Sequence, residues 1–554
     1  MVHIDEVRKH NTKDDCWVII HGNAYDVTDF LQEHPGGAAI IVKYAGKDAT
    51  KAFDPIHPGD TLDKYLSKDL HKGKVEGEIK VKRQNRTDSS QSGNVNNSPA
   101  KVENKPPAGS VVDEFDVEYD EQDDLLPIET KQPTPTNNDQ QYYDDDDDDE
   151  PVSEEELNRR KLVSLKPDLS QIYNLTDFEF VARHTMEKTA WSYYSSGCDD
   201  EITLRENHSA YQRIYFKPRI LRDVENIDLS TVMNGTKVSV PFYITATALG
   251  KLGHPEGECV LTKAAAKQNV IQMIPTLASC SFDEIVDAAD GKQTQWLQLY
   301  VNKDRTICKS IVQHAEKRGI KGLFITVDAP QLGRREKDMR SKNIEDLSHV
   351  QGDGDDADRT QGAARAISSF IDTSLNWKDL AWFKDITTMP IYLKGVQTVE
   401  DVLLAIEHNV AGVVLSNHGG RQLELSPPPI ELLAELMPIL RERGLQDKIE
   451  IYIDGGVRRA TDILKAICLG AKGVGIGRPF LYAMSTYGEE GVNKAIQILK
   501  DEMIMNMRLL GVTSIDQLNE NYVDTTKMNR YIPDDKLFAN VYEPMVSPSF
   551  KSKL

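Results

Sequence analysis

Between Val240 and Ile476 eight short apolar runs recur, and most are followed by a stretch of helical periodicity. The runs are Val240–Thr245, Val270–Ile274, Trp296–Tyr300, Leu323–Val327, Pro390–Lys394, Gly412–Leu415, Glu450–Ile453 and Gly473–Ile476. Near-continuous apolar runs of this length suit strands buried on both faces, as in a parallel sheet covered by helices. The intervening segments, among them GECVLTKAAAKQ, TVEDVLLAIEHN and RATDILKAICLG, supply those helices. Eight such units predict an α/β fold, a (β/α)8 TIM barrel. A doubly wound open sheet is the alternative, but no GxGxxG motif opens the first unit.

In a barrel of this kind the chemistry sits at the C-terminal ends of the strands. The sixth run, GVVL, breaks into SNHGGRQL, which sets an imidazole, His418, and a guanidinium, Arg421, beside two glycines. The other ends supply Thr245-Ala246-Thr247-Ala248, Gln298 and Tyr300, Thr326 and Asp328 with Arg334 and Arg335 beyond, and Lys394. Asp328 and His418 suit an acid–base pair, because a carboxylate holding one ring nitrogen raises the basicity of the other. Arg421, helped by an arginine from 334–335, suits a two-pronged grip on a carboxylate. Tyr300 suits a hydroxyl, and Lys394 an electron-rich ring. The last two ends, Asp454-Gly455-Gly456-Val457-Arg458 and Gly475-Ile476-Gly477-Arg478, suit a phosphate, since glycines admit backbone N–H groups and arginines add charge. Each residue alone is equally at home in a salt bridge or turn. Together they describe a site for a small carboxylate bearing an adjacent hydroxyl, with no dense Asp/Glu/His cluster for a metal.

The rest of the chain divides by composition. Residues 1–80 read as a small α+β domain, too short for a secure core and therefore a candidate to hold a cofactor. His34, in HPGG, and His57 lie 23 residues apart without zinc-type spacing; they suit either axial haem ligands or two surface turns. Residues 81–164 read as an acidic flexible linker. The formal net charge is -22, and the segment from Asp113 to Glu156 carries twenty acidic residues against Lys131 alone. The folded parts are thus nearly balanced, which argues against nucleic acid and favours a basic protein partner. Residues 165–485 hold the barrel with a helical lead-in. Gly333 to about Ala366 is a long charged insertion, expected to be a lid or mobile. Residues 486–554 hold one helix and a Pro-containing tail expected at an oligomer contact. The six cysteines form no CxxC pair and read as reduced thiols. No apolar run approaches the roughly 20 residues of a membrane span. MVHIDEVRKHNTKDD lacks the features of a signal or transit peptide.

Two family resemblances sharpen these readings. DDCWVIIHGNAYDVTDFLQEHPGG resembles the cytochrome b5 family, which implies a haem b held by His34 and His57 and used for electron transfer. WSYYSSG, ATALGKLGHPEGE, QWLQLYV, FITVDAPQLGRREKDMR, SNHGGRQL and IDGGVRRATDILKAICLGAKGVGIGRPFLYA resemble the FMN-dependent α-hydroxy-acid oxidases and dehydrogenases. That resemblance implies His418 as base with Asp328 its partner, and Arg421, Tyr193 and Arg335 at the substrate carboxylate. It implies Tyr300 at the hydroxyl and Lys394 beside the flavin. Ala246, Thr247, Ala248, Gln298 and Thr326 would meet the flavin and ribityl chain. Gly456, Arg458, Gly477 and Arg478 would meet the phosphate, with Asp454 among the cofactor residues. Ala248 and Leu277 match positions facing the substrate side chain, which points to lactate. The two domains together resemble the flavocytochrome class of L-lactate:cytochrome c oxidoreductases, which implies L-lactate and cytochrome c as partners and a homotetramer. It also implies the mitochondrial intermembrane space, with the cytoplasm as the alternative. Pro275 departs from the serine expected near the flavin, and the linker is longer and more acidic than the resemblance leads one to expect.

Overall fold

The computed structural model describes residues 2–32, 38–54, 62, 66–76, 153–340, 371–528 and 550–551. The expected haem ligands His34 and His57, the linker up to residue 152, the insertion from residue 341 on and most of the C-terminal tail lie outside them.

In the N-terminal domain, Asp15–Ile20 and Asn23–Asp26 form an antiparallel hairpin. It turns through His21 and Gly22, both at positive φ (51° and 72°). Two left-handed central residues match the right-handed twist of the strands they join. The hairpin sits in a five-stranded sheet with Val2–His3, Asn11–Thr12 and His71–Glu76. One face packs Cys16, Val18, Ile20 and Tyr25 against Leu31, Phe53 and Leu66.

The larger domain is a closed barrel of eight parallel strands in chain order, the eighth pairing with the first. They are Phe242–Ile244, Ile271–Ile274, Gln295–Leu299, Leu323–Thr326, Ile391–Val396, Gly412–Leu415, Glu450–Asp454 and Gly473–Ile476. All eight expected strands are present. The sixth and eighth match to the residue and the others differ by one or two residues at an end; the fifth continues past Lys394 through a register shift between Lys394 and Val396. The open-sheet alternative is thereby excluded.

The barrel interior is filled. Tyr243, Met273, Trp296, Phe324, Tyr392 and Tyr452 point inward, with Trp296 stacked on Phe324 at 4.7 Å and Phe324 on Tyr392 at 4.4 Å. Burial of each such side chain contributes on the order of 1.5–3 kcal/mol. A packed interior leaves reactants only the ends of the barrel. Helices cover the outside: Ser281 and Glu284 form a capping box for Phe282–Asp287, and Thr398 caps Val399–Glu407.

After the eighth strand the chain departs from expectation. Arg478 already opens a helix, with Pro479 in its first turn, ahead of the helix expected from residue 486 on. This helix breaks at Tyr487 and Gly488, and a second continues to Leu510. At the C-terminus, Phe550 packs on Phe180 and His184 of the same chain, and the Lys551 N–H donates to the Leu165 carbonyl at 2.7 Å.

Candidate active site

The C-terminal rim of the barrel surrounds a cavity lined by residues from the ends of its strands. At one end of the set stands His418, in the left-handed region (φ 60°) and followed by Gly419 and Gly420 at φ 63° and 76°. Its backbone N–H donates to the Ser416 hydroxyl at 3.0 Å. The ring is held between two groups. Nδ1 lies 3.1 and 3.3 Å from the Asp328 carboxylate oxygens, and Nε2 lies 3.2 Å from the Tyr300 hydroxyl. An ionised carboxylate only accepts, so Nδ1 carries the proton and Nε2 presents its lone pair to the cavity. Burial lowers the His418 pKa below the ordinary histidine value; Asp328 opposes this, while Lys394 and Arg335 reinforce it. Burial also raises the Tyr300 pKa, with Asp328 adding to the effect, so the phenol keeps its proton.

Asp328 does not line the cavity. Its side chain is fully buried beneath the imidazole, over Gly395 (φ 106°), where an added Cβ would come within 2.4 Å of the carboxyl carbon. Beside His418 two guanidiniums share the wall. Arg421 Nη1 donates to the Tyr193 and Ser196 carbonyls at 2.8 and 2.9 Å, and the cation lies over the Tyr193 ring at 5.0 Å. Burial, and then the neighbouring Arg335, lower the Arg421 pKa to about 9. Arg335 is 4% exposed and its Nε has no partner among the described residues. A buried, unpaired donor beside a second cation is costly unless an anion completes it.

Lys394 lies deeper, its Nζ 3.2 Å from Asp454 Oδ2. Burial works against its charge, but Asp454 and Asp328 outweigh burial and raise its pKa, so it stays protonated. Gln298 donates to Thr326 Oγ1 at 2.8 Å and accepts from the Thr276 N–H at 3.1 Å, which fixes its amide in the wall. Ala246, Thr247 and Ala248 line the same wall, as do Pro275 and Leu277. Gly456, Arg458, Gly477 and Arg478 line the cavity as well. Both arginines there are already engaged by protein: Arg458 Nε pairs with Glu179 at 3.1 Å, and Arg478 donates to the Tyr194, Ser196 and Gly419 carbonyls. The candidates of the sequence reading in this domain therefore converge on one cavity or, for Asp328, directly beneath it, except Arg334, which is exposed and pairs with Glu336 at 3.5 Å.

The sequence reading passed over Ser416, whose hydroxyl donates to Asp454 and accepts from His418, and Gln422, which donates to the Asp328 carbonyl at 2.8 Å. Both lie within SNHGGRQL but neither lines the cavity, and a residue that acts by bonding another polar residue shows no periodicity.

A cavity lined by glycines and arginines, with a buried lysine and a guanidinium donor that lacks a partner among the described residues, fits a flavin mononucleotide with a carboxylate beside it. Residues 182–525 match the family described as FMN-dependent dehydrogenase. The chain belongs to that family. Residues 3–76 match the cytochrome b5-like haem/steroid binding domain, so this FMN-dependent dehydrogenase carries a second, b5-like domain. It is 53% identical over 548 residues to an L-lactate dehydrogenase (cytochrome) of Wickerhamomyces anomalus, covering 98% of this chain and 84% of that one. It is 48% identical over 546 residues to the enzyme so named in Saccharomyces cerevisiae, covering 97% and 82%. Among solved structures, a flavocytochrome b2 variant with pyruvate bound is 53% identical, with a TM-score of 0.64, over 73% of this chain and 100% of that one.

Proposed function

We propose that this FMN-dependent dehydrogenase oxidises L-lactate to pyruvate and delivers the electrons, through haem b, to cytochrome c. The carrying observation is His418, held between Asp328 and Tyr300 at the same cavity wall as the paired guanidiniums of Arg421 and Arg335. The names of the two yeast relatives and the match to both domains support the same reading.

The carboxylate of lactate neutralises Arg335 and Arg421, with Tyr193 beside them, and completes the donor that Arg335 leaves open. This orients the α-carbon. Tyr300 keeps its proton and bonds the α-hydroxyl. His418 is neutral at pH 7 and takes the proton at Nε2 as the α-C–H and O–H bonds are converted to a carbonyl. Asp328, bonded to Nδ1–H, stabilises the imidazolium that results. FMN, when bound, supplies the acceptor for the two electrons and for the second hydrogen, the first leaving as the proton on His418. Lys394, fixed as a cation by Asp454, adds a buried positive charge to the cavity wall. Ala248 and Leu277 leave room for a methyl group. The b5-like domain supplies a one-electron exit at a haem whose expected ligands are His34 and His57. Assembly as a homotetramer and location in the mitochondrial intermembrane space are part of the proposal and rest on resemblance.

The test is an absorption spectrum of the purified chain without oxygen, before and after L-lactate. Flavin bleaching followed by reduction of a b-type haem is the expected result. A protein with no haem band, or one that makes peroxide stoichiometrically with lactate in air, refutes the electron route and favours an oxidase. The second reading has support in a 39% identical relative, the glycolate oxidase of Spinacia oleracea.

A further inference from the structure

The helix Ile202–Gln212 precedes the barrel, and none of its residues lines the cavity. It nevertheless grips two of the loops that do. Asn207 and Asn417 exchange side-chain amide bonds in both directions, at 2.8 and 2.7 Å, and each is 1% exposed. Asn417 stands next to His418. Its Oδ1 also accepts the Gly420 N–H at 3.0 Å, and its Nδ2 also donates to the Pro427 carbonyl at 3.2 Å. The amide pair therefore closes the run of three left-handed residues, 418–420, from outside the barrel.

The approach of helix and turn is close. A Cβ on Gly420 would lie 2.6 Å from the backbone N and Cα of Leu204. Farther along the loop, Glu424 accepts from the Ile202 and Thr203 N–H groups at 3.1 and 2.8 Å, capping the helix. At the phosphate end, His208 Nδ1 lies 2.8 Å from the Gly456 carbonyl, and a Cβ on Gly456 (φ 79°) would overlap the Asn207 carbonyl. One helix thus carries, on two successive residues, the braces for the His418 turn and the Gly456 turn.

We propose that Asn207 is a positioning residue for His418, acting through Asn417. The inference rests on the reading of His418 as the base. The left-handed turn is intrinsically unfavourable at a residue with a side chain, so its geometry depends on the bonds that close it. A buried amide pair does this with direction, because each partner both donates and accepts. Arg421 is held separately, by the Tyr193 and Ser196 carbonyls. Loss of the brace therefore disturbs the imidazole more than the carboxylate grip.

The experiment uses the full-length, FMN- and haem-loaded protein. Asn207→Ala is expected to lower kcat by about tenfold to a hundredfold, the scale of a misplaced catalytic group, with the lactate KM within about threefold of wild type. Asn417→Ala should do the same, and the double variant should be no worse than either single one, since the pair is a unit. Hydrogen–deuterium exchange over residues 412–423 should speed up in each variant. Additive losses, a KM effect larger than the kcat effect, or unchanged exchange with lowered kcat would overturn the proposal. Should Asn207→Ala fail to fold, Asn207→Asp, which keeps the shape and removes the donor, takes its place in the same measurements. His418→Gln is the control. If it leaves turnover near wild type, the reading of the base fails; if it abolishes turnover while Asn207→Ala and Asn417→Ala leave kcat intact, only the positioning role fails.

Discussion

Gly395→Ala tests the acid–base pair without touching either member. Gly395 forms the irregularity in the fifth barrel strand, between Lys394 and Val396. Such a bulge bends the strand and opens local space, and here Asp328 occupies it. An added methyl would lie 2.4 Å from Asp328 Cγ, 2.5 Å from its Cβ and 2.8 Å from Oδ1. Those distances are far inside van der Waals contact, and φ of 106° is unfavourable for alanine in any case. The backbone conformation costs about 1–3 kcal/mol. Asp328 must move, and the 3.1 Å bond to His418 Nδ1 goes with it. A hydrogen bond to a charged group is worth about 1.5–3 kcal/mol, so kcat/KM should fall roughly tenfold to 150-fold. The assay is steady-state lactate oxidation with an artificial acceptor, with flavin absorbance and melting temperature as checks on integrity. Asp328→Asn provides the reference, and Gly395→Ala in that background should add little. A Gly395→Ala protein within about twofold of wild type would show that Asp328 does not act through its contact with His418.

Further outcomes follow from the same geometry. His418→Gln should lower turnover by about 10²–10⁴ with FMN retained, read by rapid-mixing flavin reduction. Because burial lowers the His418 pKa and the reaction needs the neutral ring, kcat/KM should fall only as pH drops through a value below the ordinary ~6.5. Asp328 raises that pKa, so in Asp328→Asn the acid limb should move to still lower pH. Arg335→Met removes a buried cation whose Nε has no partner among the described residues. The ligand-free protein should therefore melt at a higher temperature while the lactate KM rises by about tenfold or more; a lower melting temperature would count against an unfilled anion site. His34→Ala or His57→Ala should abolish the b-type absorbance and cytochrome c reduction and leave flavin reduction by lactate intact, which a spectrum resolves.

The barrel was legible before any coordinates because burial on both faces leaves a parallel strand few choices of residue. Runs such as GVVL and GVGI could be placed to the residue, and Asp328, Lys394, His418 and Arg478 could be named because barrel chemistry must stand at strand ends. The helix TVEDVLLAIEHN was equally local, since Thr398 and the Asp401 N–H it caps lie three residues apart. What the linear pattern could not carry were relations between distant segments. Gly395 reads as an ordinary glycine until the fourth strand lays Asp328 over it, and Arg335 as one of two adjacent cations until packing leaves its Nε without a partner. Asn207 and Asn417 are 210 residues apart; Asn417 lies within SNHGGRQL, but nothing in the sequence ties it to Asn207. Local order follows from short-range sterics and hydrophobic period. The orientation of one imidazole depends instead on hydrogen bonds between residues that only the closed barrel brings together.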